Sequence, residues 1–257
     1  GTMTTPARGC RTPGGRAAMF HPNGPTFFEL AQQALSSTER GYDLLAPKFD
    51  YTPFRTPQFL LDAVACQLPA LGPFGWGLDL CCGTGAALAM VRPFCTEAVV
   101  GLDTSQGMLD VCRRRVAEAP GEARVELVRG NALALPFGPA FDVIVSFGAF
   151  GHILVRDEPR FVGEIARVLR PGGRFIFVTT YPPRAGSLGW LLARGFNAAM
   201  HVRNWLLSPP FIMYYLTFLL PAVRVLLERN GLQVEVRGLD LPRPFTALRL
   251  VVATRPQ

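Results

Sequence analysis

A chain of 257 residues with 49% hydrophobic content can bury a full core, which excludes a disordered protein and fits one α/β domain with additions better than two domains. The formal net charge of +7 brings nucleic acid and anionic membranes into view, but Lys48 is the only lysine; charge carried by scattered arginine makes no nucleic-acid face, and nucleic acid is set aside. Cys10, Cys66, Cys81, Cys82, Cys95 and Cys112 include no C-x-x-C pair, and His21, His152 and His201 stand apart from them, so reduced thiols and no metal are expected.

Gly1-Thr2 ahead of Met3 reads as a tag remnant, and residues 1–25, rich in Gly, Pro and Arg, as a disordered tail without a secretion signal. Apolar residues at helical spacing predict helices over 26–35 and 58–68, with Thr26 and Thr56 available as caps, and two or three helices within 26–75. Short apolar runs at 77–80, 98–102, 124–128, 142–146 and 174–179 then alternate with helical patterns at 86–91, 106–119 and 158–169. This is the rhythm of a parallel sheet buried on both faces by right-handed crossovers. Pro171-Gly172-Gly173 is expected to end the helix before it and start the fifth strand. Residues 181–220, full of aromatics, prolines and long apolar stretches, read as an inserted cap. A helix at 222–229, ended by Asn230-Gly231, and strands at 233–239 and 247–254 close the chain. The expected fold is α/β, a doubly wound, mostly parallel seven-stranded sheet with N-terminal helices and a helical cap, forming one domain over 26–257.

The chemistry concentrates after the first strand, in Leu78-Asp79-Leu80-Cys81-Cys82-Gly83-Thr84-Gly85. A turn that lets a ligand approach its backbone needs residues without a Cβ that tolerate positive φ, and Gly83 and Gly85 fit. Asp79 at the strand end can position that turn or meet an ammonium group. Asp103 ends the second strand, where a carboxylate can accept both hydroxyls of a ribose. A nicotinamide cofactor would call for G-x-G-x-x-G, but Leu88 occupies the third glycine position.

Taken with Gly130-Asn131-Ala132-Leu133-Ala134-Leu135-Pro136-Phe137, Phe141-Asp142-Val143-Ile144-Val145 and Val168-Leu169-Arg170-Pro171-Gly172-Gly173, these residues resemble, in order, the motifs of the Rossmann-like class I methyltransferases. Within that class the chain is similar to the small-molecule enzymes that include the C-methyltransferases of ubiquinone and menaquinone biosynthesis. Cys81 departs from the commoner glycine. The resemblance implies S-adenosylmethionine as cofactor, in a turn that includes Asp79 and Cys81. It implies Gly83 and Gly85 along the methionine moiety, Asp103 on the ribose, Thr104 and Met108 bordering the adenosine, Asn131 and Ala132 at the adenine edge, and Phe147 facing the sulfonium. Taken alone, Asn131 is also a turn former and Met108 a core residue. Asp142 begins its strand and is expected to orient it.

Methyl transfer from a sulfonium is an in-line displacement, so a base matters only when the acceptor must lose a proton. His152, in the loop after the fourth strand, is the candidate base; the plainer alternative is a loop histidine bonded to backbone. Tyr42-Asp43 and Asp50-Tyr51 resemble a segment that covers the cofactor in this family, or else pack the N-terminal helices on the sheet. Tyr42, Tyr51, Tyr181 and Tyr214 are the substrate or lid candidates. Residues 204–223 carry no charge, but Pro209, Pro210 and Pro221 argue against a spanning helix. The apolar centre, 211–220, is expected to be a helix, buried against the domain or a second subunit or lying on a membrane surface. The expected activity is methylation of a hydrophobic small molecule, such as a quinone precursor, lipid or aromatic metabolite, in the cytoplasm or at the inner membrane face. The competing reading is a non-catalytic ligand- or partner-binding protein on the same fold.

Overall fold

The computed structural model describes residues 22–257; most of the expected tail, with Cys10 and His21, lies outside the described residues. In chain order the helices are α1 (Phe27–Leu35), α2 (Thr38–Leu45), α3 (Gln58–Ala65), α4 (Ala86–Val91), α5 (Gln106–Glu118), α6 (Glu158–Val168), α7 (Leu188–Leu206) and α8 (Ala222–Arg229). The strands are β1 (Phe74–Leu80), β2 (Cys95–Asp103), β3 (Arg124–Arg129), β4 (Phe141–Ser146), β5 (Leu169–Thr179), β6 (Gln233–Gly238) and β7 (Arg249–Thr254). They form one seven-stranded sheet in the order β3-β2-β1-β4-β5-β7-β6, parallel except for β7, which is antiparallel to both neighbours.

Side chains alternate across a strand, and here both faces are apolar. Leu78, Leu80, Ile144, Phe175 and Phe177 pack with Phe161 and Ile165 of α6 and Leu227 of α8, while Val99, Val143, Val145 and Ile176 pack with Leu61, Leu88, Leu109 and Cys112 beneath α3, α4 and α5. Strand order reverses between β1 and β4, which opens a crevice at their carboxyl ends, where ligands bind in such sheets. Asp142 holds the other end, accepting from the backbone N–H groups of Gly75 and Trp76 at 2.9 and 2.7 Å.

Three expectations need correction. Thr26 caps α1 in a reciprocal box with Glu29, but the N-cap of α3 is Pro57, which makes no side-chain bond, so Thr56 has no such role. Leu169 already pairs with Phe141, which puts Pro171-Gly172-Gly173 inside β5, where Gly172 at φ +80° bends the strand. Residues 211–220 are not a helix; they run as an irregular strap, and the helix of the cap is α7.

The strap escapes helix formation because its polar backbone groups find partners elsewhere. Asn204 of α7 bonds both the N–H and the carbonyl of Phe211, and Asn197 does the same for Tyr215. The Ile212 N–H donates to Thr38, that of Tyr214 to the Gly151 carbonyl, and that of Phe218 to Glu158. Leu216 and Phe218 adopt positive φ, which a helix forbids. Among the described residues no helix is long and apolar enough to cross a membrane.

Candidate active site

The turn after β1 needs special backbones at three alternate positions. Cys81, Gly83 and Gly85 all have positive φ, at 61°, 51° and 82°. A Cβ on Gly83 would meet nothing within 4 Å, leaving open space above the backbone. A Cβ on Gly85 would stand 2.4 Å from Cys112 Sγ, so this glycine is required by the close packing of the turn on α5. Asp103 ties the turn to the end of β2: Oδ2 accepts from the Gly83 N–H at 2.8 Å and Oδ1 from the Ser105 N–H at 2.9 Å. Burial pushes its carboxyl above the ordinary range against those bonds.

Asp79 is 1% exposed, and its Oδ2 has no hydrogen-bond partner among the described residues. Burial pushes this carboxyl up to about 8. A buried carboxylate oxygen without a donor is costly unless a cation meets it. The open cradle at Gly83 and this oxygen together fit the ammonium end of an amino-acid ligand.

Both groups line a cavity of about 1480 Å³, larger than the roughly 300–1,000 Å³ of most small-molecule sites and roomy enough for a donor and an acceptor together. Cys81, Thr104, Met108, Asn131, Ala132, Phe147, His152, Tyr42, Tyr181 and Tyr214 line it as well. Gly85 and Tyr51 are not among the lining residues; Gly85 faces α5, and Tyr51 is 43% exposed.

Two aspartates fasten the N-terminal helices over this cavity. Asp43 Oδ1 accepts from Ser105 Oγ at 2.5 Å and from the Gly107 N–H at 2.9 Å, placing its charge at the N-terminus of α5. Asp50 accepts from Thr84 Oγ1 at 2.8 Å and forms an ion pair with Arg115, which also donates to the Thr84 carbonyl and hydroxyl. The run Arg113-Arg114-Arg115 reads in sequence as a solvated edge, but Arg115 turns inward. Its signal was the carboxylate 65 positions earlier, and no local pattern connects the two. Thus Asp43 and Asp50 pack the helices on the sheet, while Tyr42 beside them faces the cavity.

His152 sits between the N-terminal helices and the strap. Its Nδ1 lies 2.6 Å from the Ile212 carbonyl, which can only accept, so Nδ1 carries the proton. Nε2 is then the acceptor for the Tyr42 hydroxyl, at 2.8 Å. Burial lowers the His152 pKa and keeps the ring neutral; burial, with the Asp103 charge nearby, raises that of Tyr42. The two rings meet edge on, with centroids 5.1 Å apart. Sequence reasoning found His152 and Tyr42 separately; their pairing, and the asparagines that hold the strap, are long-range contacts without a local pattern. No group of metal-ligating side chains occurs among the described residues.

A family profile described as a methyltransferase domain matches residues 78–173. The chain is 35% identical over 176 residues to a demethylmenaquinone methyltransferase from Symbiobacterium thermophilum, across 66% of this chain and 58% of that relative. It therefore spans a little over half the length of that curated relative. An O-methyltransferase family protein from Burkholderia thailandensis shares the fold at TM-score 0.63 and 20% identity, covering 91% of this chain and 65% of the other. Magnesium protoporphyrin IX methyltransferase from Synechocystis PCC 6803, solved with bound SAH, shares it at TM-score 0.55 and 19% identity over 77% of this chain and 82% of the other. Strand order, glycine turn and matched domain agree: residues 78–173 match a methyltransferase domain, and the chain is similar to demethylmenaquinone methyltransferases over 66% of its length.

Proposed function

We propose that the protein transfers the methyl group of S-adenosylmethionine to a hydrophobic small molecule such as a quinone precursor, a lipid or an aromatic metabolite. The observation that carries this reading is that a single cavity holds the Asp79 carboxyl group, with Oδ2 unpartnered, together with the Tyr42–His152 pair and the apolar strap. Asp79 would receive the ammonium group, Asp103 the ribose hydroxyls, Thr104 and Met108 the adenosine, and Asn131 and Ala132 the adenine edge. Gly83 would allow close approach of the methionine moiety, Cys81 and Gly85 would shape the turn beneath it, and Phe147 would face the sulfonium. The bound donor supplies an electrophilic methyl group.

The chain's own work is alignment and exclusion of water. For an acceptor that must lose a proton, the Tyr42 oxygen takes it while the Tyr42 hydroxyl proton passes to Nε2 of His152. The proton on Nδ1 stays there, donated to the Ile212 carbonyl, and this bond keeps Nε2 aimed at Tyr42. A neutral imidazole is ready to accept at neutral pH. Tyr181 and Tyr214 shape the acceptor side. The protein would act in the cytoplasm at the inner membrane face, its cap in peripheral contact with lipid.

His152→Ala is expected to lower kcat by about 10²–10⁴-fold, the usual range for a general base, while calorimetry finds donor affinity unchanged. Unchanged turnover would remove His152 from the mechanism. Tight donor binding without transfer to any apolar acceptor would replace the enzyme with a binding protein.

A further inference from the structure

Helix α7 is amphipathic in the opposite sense to a core helix. Its half-buried positions are 190, 193, 196, 197, 200, 203 and 204, centred on a stripe that includes the two asparagines holding the strap. Its outward positions carry Leu188, Leu191, Leu192, Val202, Trp205 and Leu206, with Trp205 83% exposed, and the helix has no buried residue. Arg203 donates to the Ala34 and Ser36 carbonyls, which sets exposed Leu35 of α1 beside the end of this face. Charge in the cap is of one sign. Residues 181–220 contain Arg184, Arg194 and Arg203 and no Asp, Glu or Lys. Arg194 lies over the Trp190 ring at 5.4 Å, along the flank of the apolar face.

We propose that the outer face of α7 docks on an anionic lipid surface. Leucines and a tryptophan on one face, with exposed Arg184 and Arg194 at its margins, are what the headgroup boundary of such a bilayer binds. A second copy of the chain suits the face less well, because a two-fold contact would set cationic caps together with no acidic side chain within the cap to receive them. The inner side of the same helix reaches the cavity. Gly189, without a side chain, and Ala193, with a single methyl, line it and leave only the helix between the cavity and the docked surface. The proposal rests on the reading of an apolar acceptor, which would then reach the site from the bilayer.

Flotation of the full chain with phosphatidylglycerol–phosphatidylcholine vesicles tests it. Binding is expected to the mixed vesicles, to weaken with salt, and to be weak to phosphatidylcholine alone. The double variant Leu191→Glu, Trp205→Glu is expected to bind the mixed vesicles at least about tenfold more weakly, with donor affinity unchanged. Should that variant fail to fold, quenching of emission by lipids brominated on their acyl chains, reduced in Trp205→Phe, reads the same contact. Equal binding by wild type and folded double variant overturns the proposal, as does equal binding to both vesicle types. A dimer in sedimentation that Trp205→Glu dissociates, without vesicle binding, assigns the face to a second copy and overturns it too. Loss of vesicle binding while a detergent-dispersed acceptor is still methylated removes the surface alone; vesicle binding without any transfer keeps the surface and removes the enzymatic reading.

Discussion

Helices α5 and α7 both lie on the outside of the molecule, and they are built by opposite rules. α5 sinks Met108, Leu109, Cys112 and Val116 onto the sheet and exposes Gln106, Asp110, Arg113 and Glu118. α7 turns Leu191, Leu192 and Trp205 outward and uses Asn197, Arg203 and Asn204 to hold its neighbours. Apolar burial fixes the first; hydrogen bonds from one polar stripe fix the second. Hydrophobic content alone therefore does not locate a core, since the helix with the larger share of leucine and tryptophan contributes no buried residue to it.

The contrast breaks most easily at matched leucines. Leu109→Ala on α5 is expected to cost about 2–5 kcal/mol in denaturant unfolding, the range for emptying a buried leucine site. Leu191→Ser on α7 is expected to stay within about 0.5 kcal/mol, as exposed substitutions do. A loss at Leu191 as large as at Leu109 would mean that its outer face is covered in the free protein.

A second comparison sets the sheet side of the cavity against the cap. Asp103→Ala removes the proposed ribose acceptor and releases the N–H groups of Gly83 and Ser105. Loss of hydrogen bonds to a charged group, at about 1.5–3 kcal/mol, predicts donor binding weakened roughly 10–100-fold by calorimetry. Val202→Ser, on the outer face of α7, is expected to leave that affinity unchanged. Equal effects would mean that donor binding is spread over the cap.

The same division decides what could be read from the sequence. Between Leu78 and Val168 strand, helix and turn succeed one another locally, and the apolar runs of β1, β2 and β4 are buried where their period says, while edge strand β3 is only half-buried. Gly83 and Asp103 were legible because a turn and a strand end fix their positions. In the cap the period failed. The apolar run 211–220 satisfies its backbone through Asn197, Asn204 and Thr38, residues 7 to 174 positions away, and a window of neighbours cannot contain that information. Arg115 with Asp50 and Tyr42 with His152 were hidden for the same reason, although each partner is an ordinary residue of its own segment.

The smallest effect concerns a buried group that neither region satisfies. Among the described residues every polar atom named along the strap has a partner, whereas Asp79 Oδ2 has none, and burial holds the carboxyl near 8. Ligand-free, it is protonated at neutral pH. An arriving ammonium group favours the carboxylate, so binding at neutral pH releases a proton, and affinity rises with pH by up to about tenfold per unit before levelling above about pH 8. Calorimetry in two buffers of different ionisation enthalpy reads the released proton directly. Stability of the free protein runs the other way. The raised pKa means that the folded state holds this proton more tightly, so the contribution is full below the ordinary carboxyl value of 3.8 and is lost as pH climbs to about 8. Asp79→Asn is expected to flatten both slopes while weakening donor binding at high pH. A pH slope that persists in Asp79→Asn would assign the proton to Asp103, whose carboxyl is also raised by burial but is held by two backbone N–H groups that already favour its charged form.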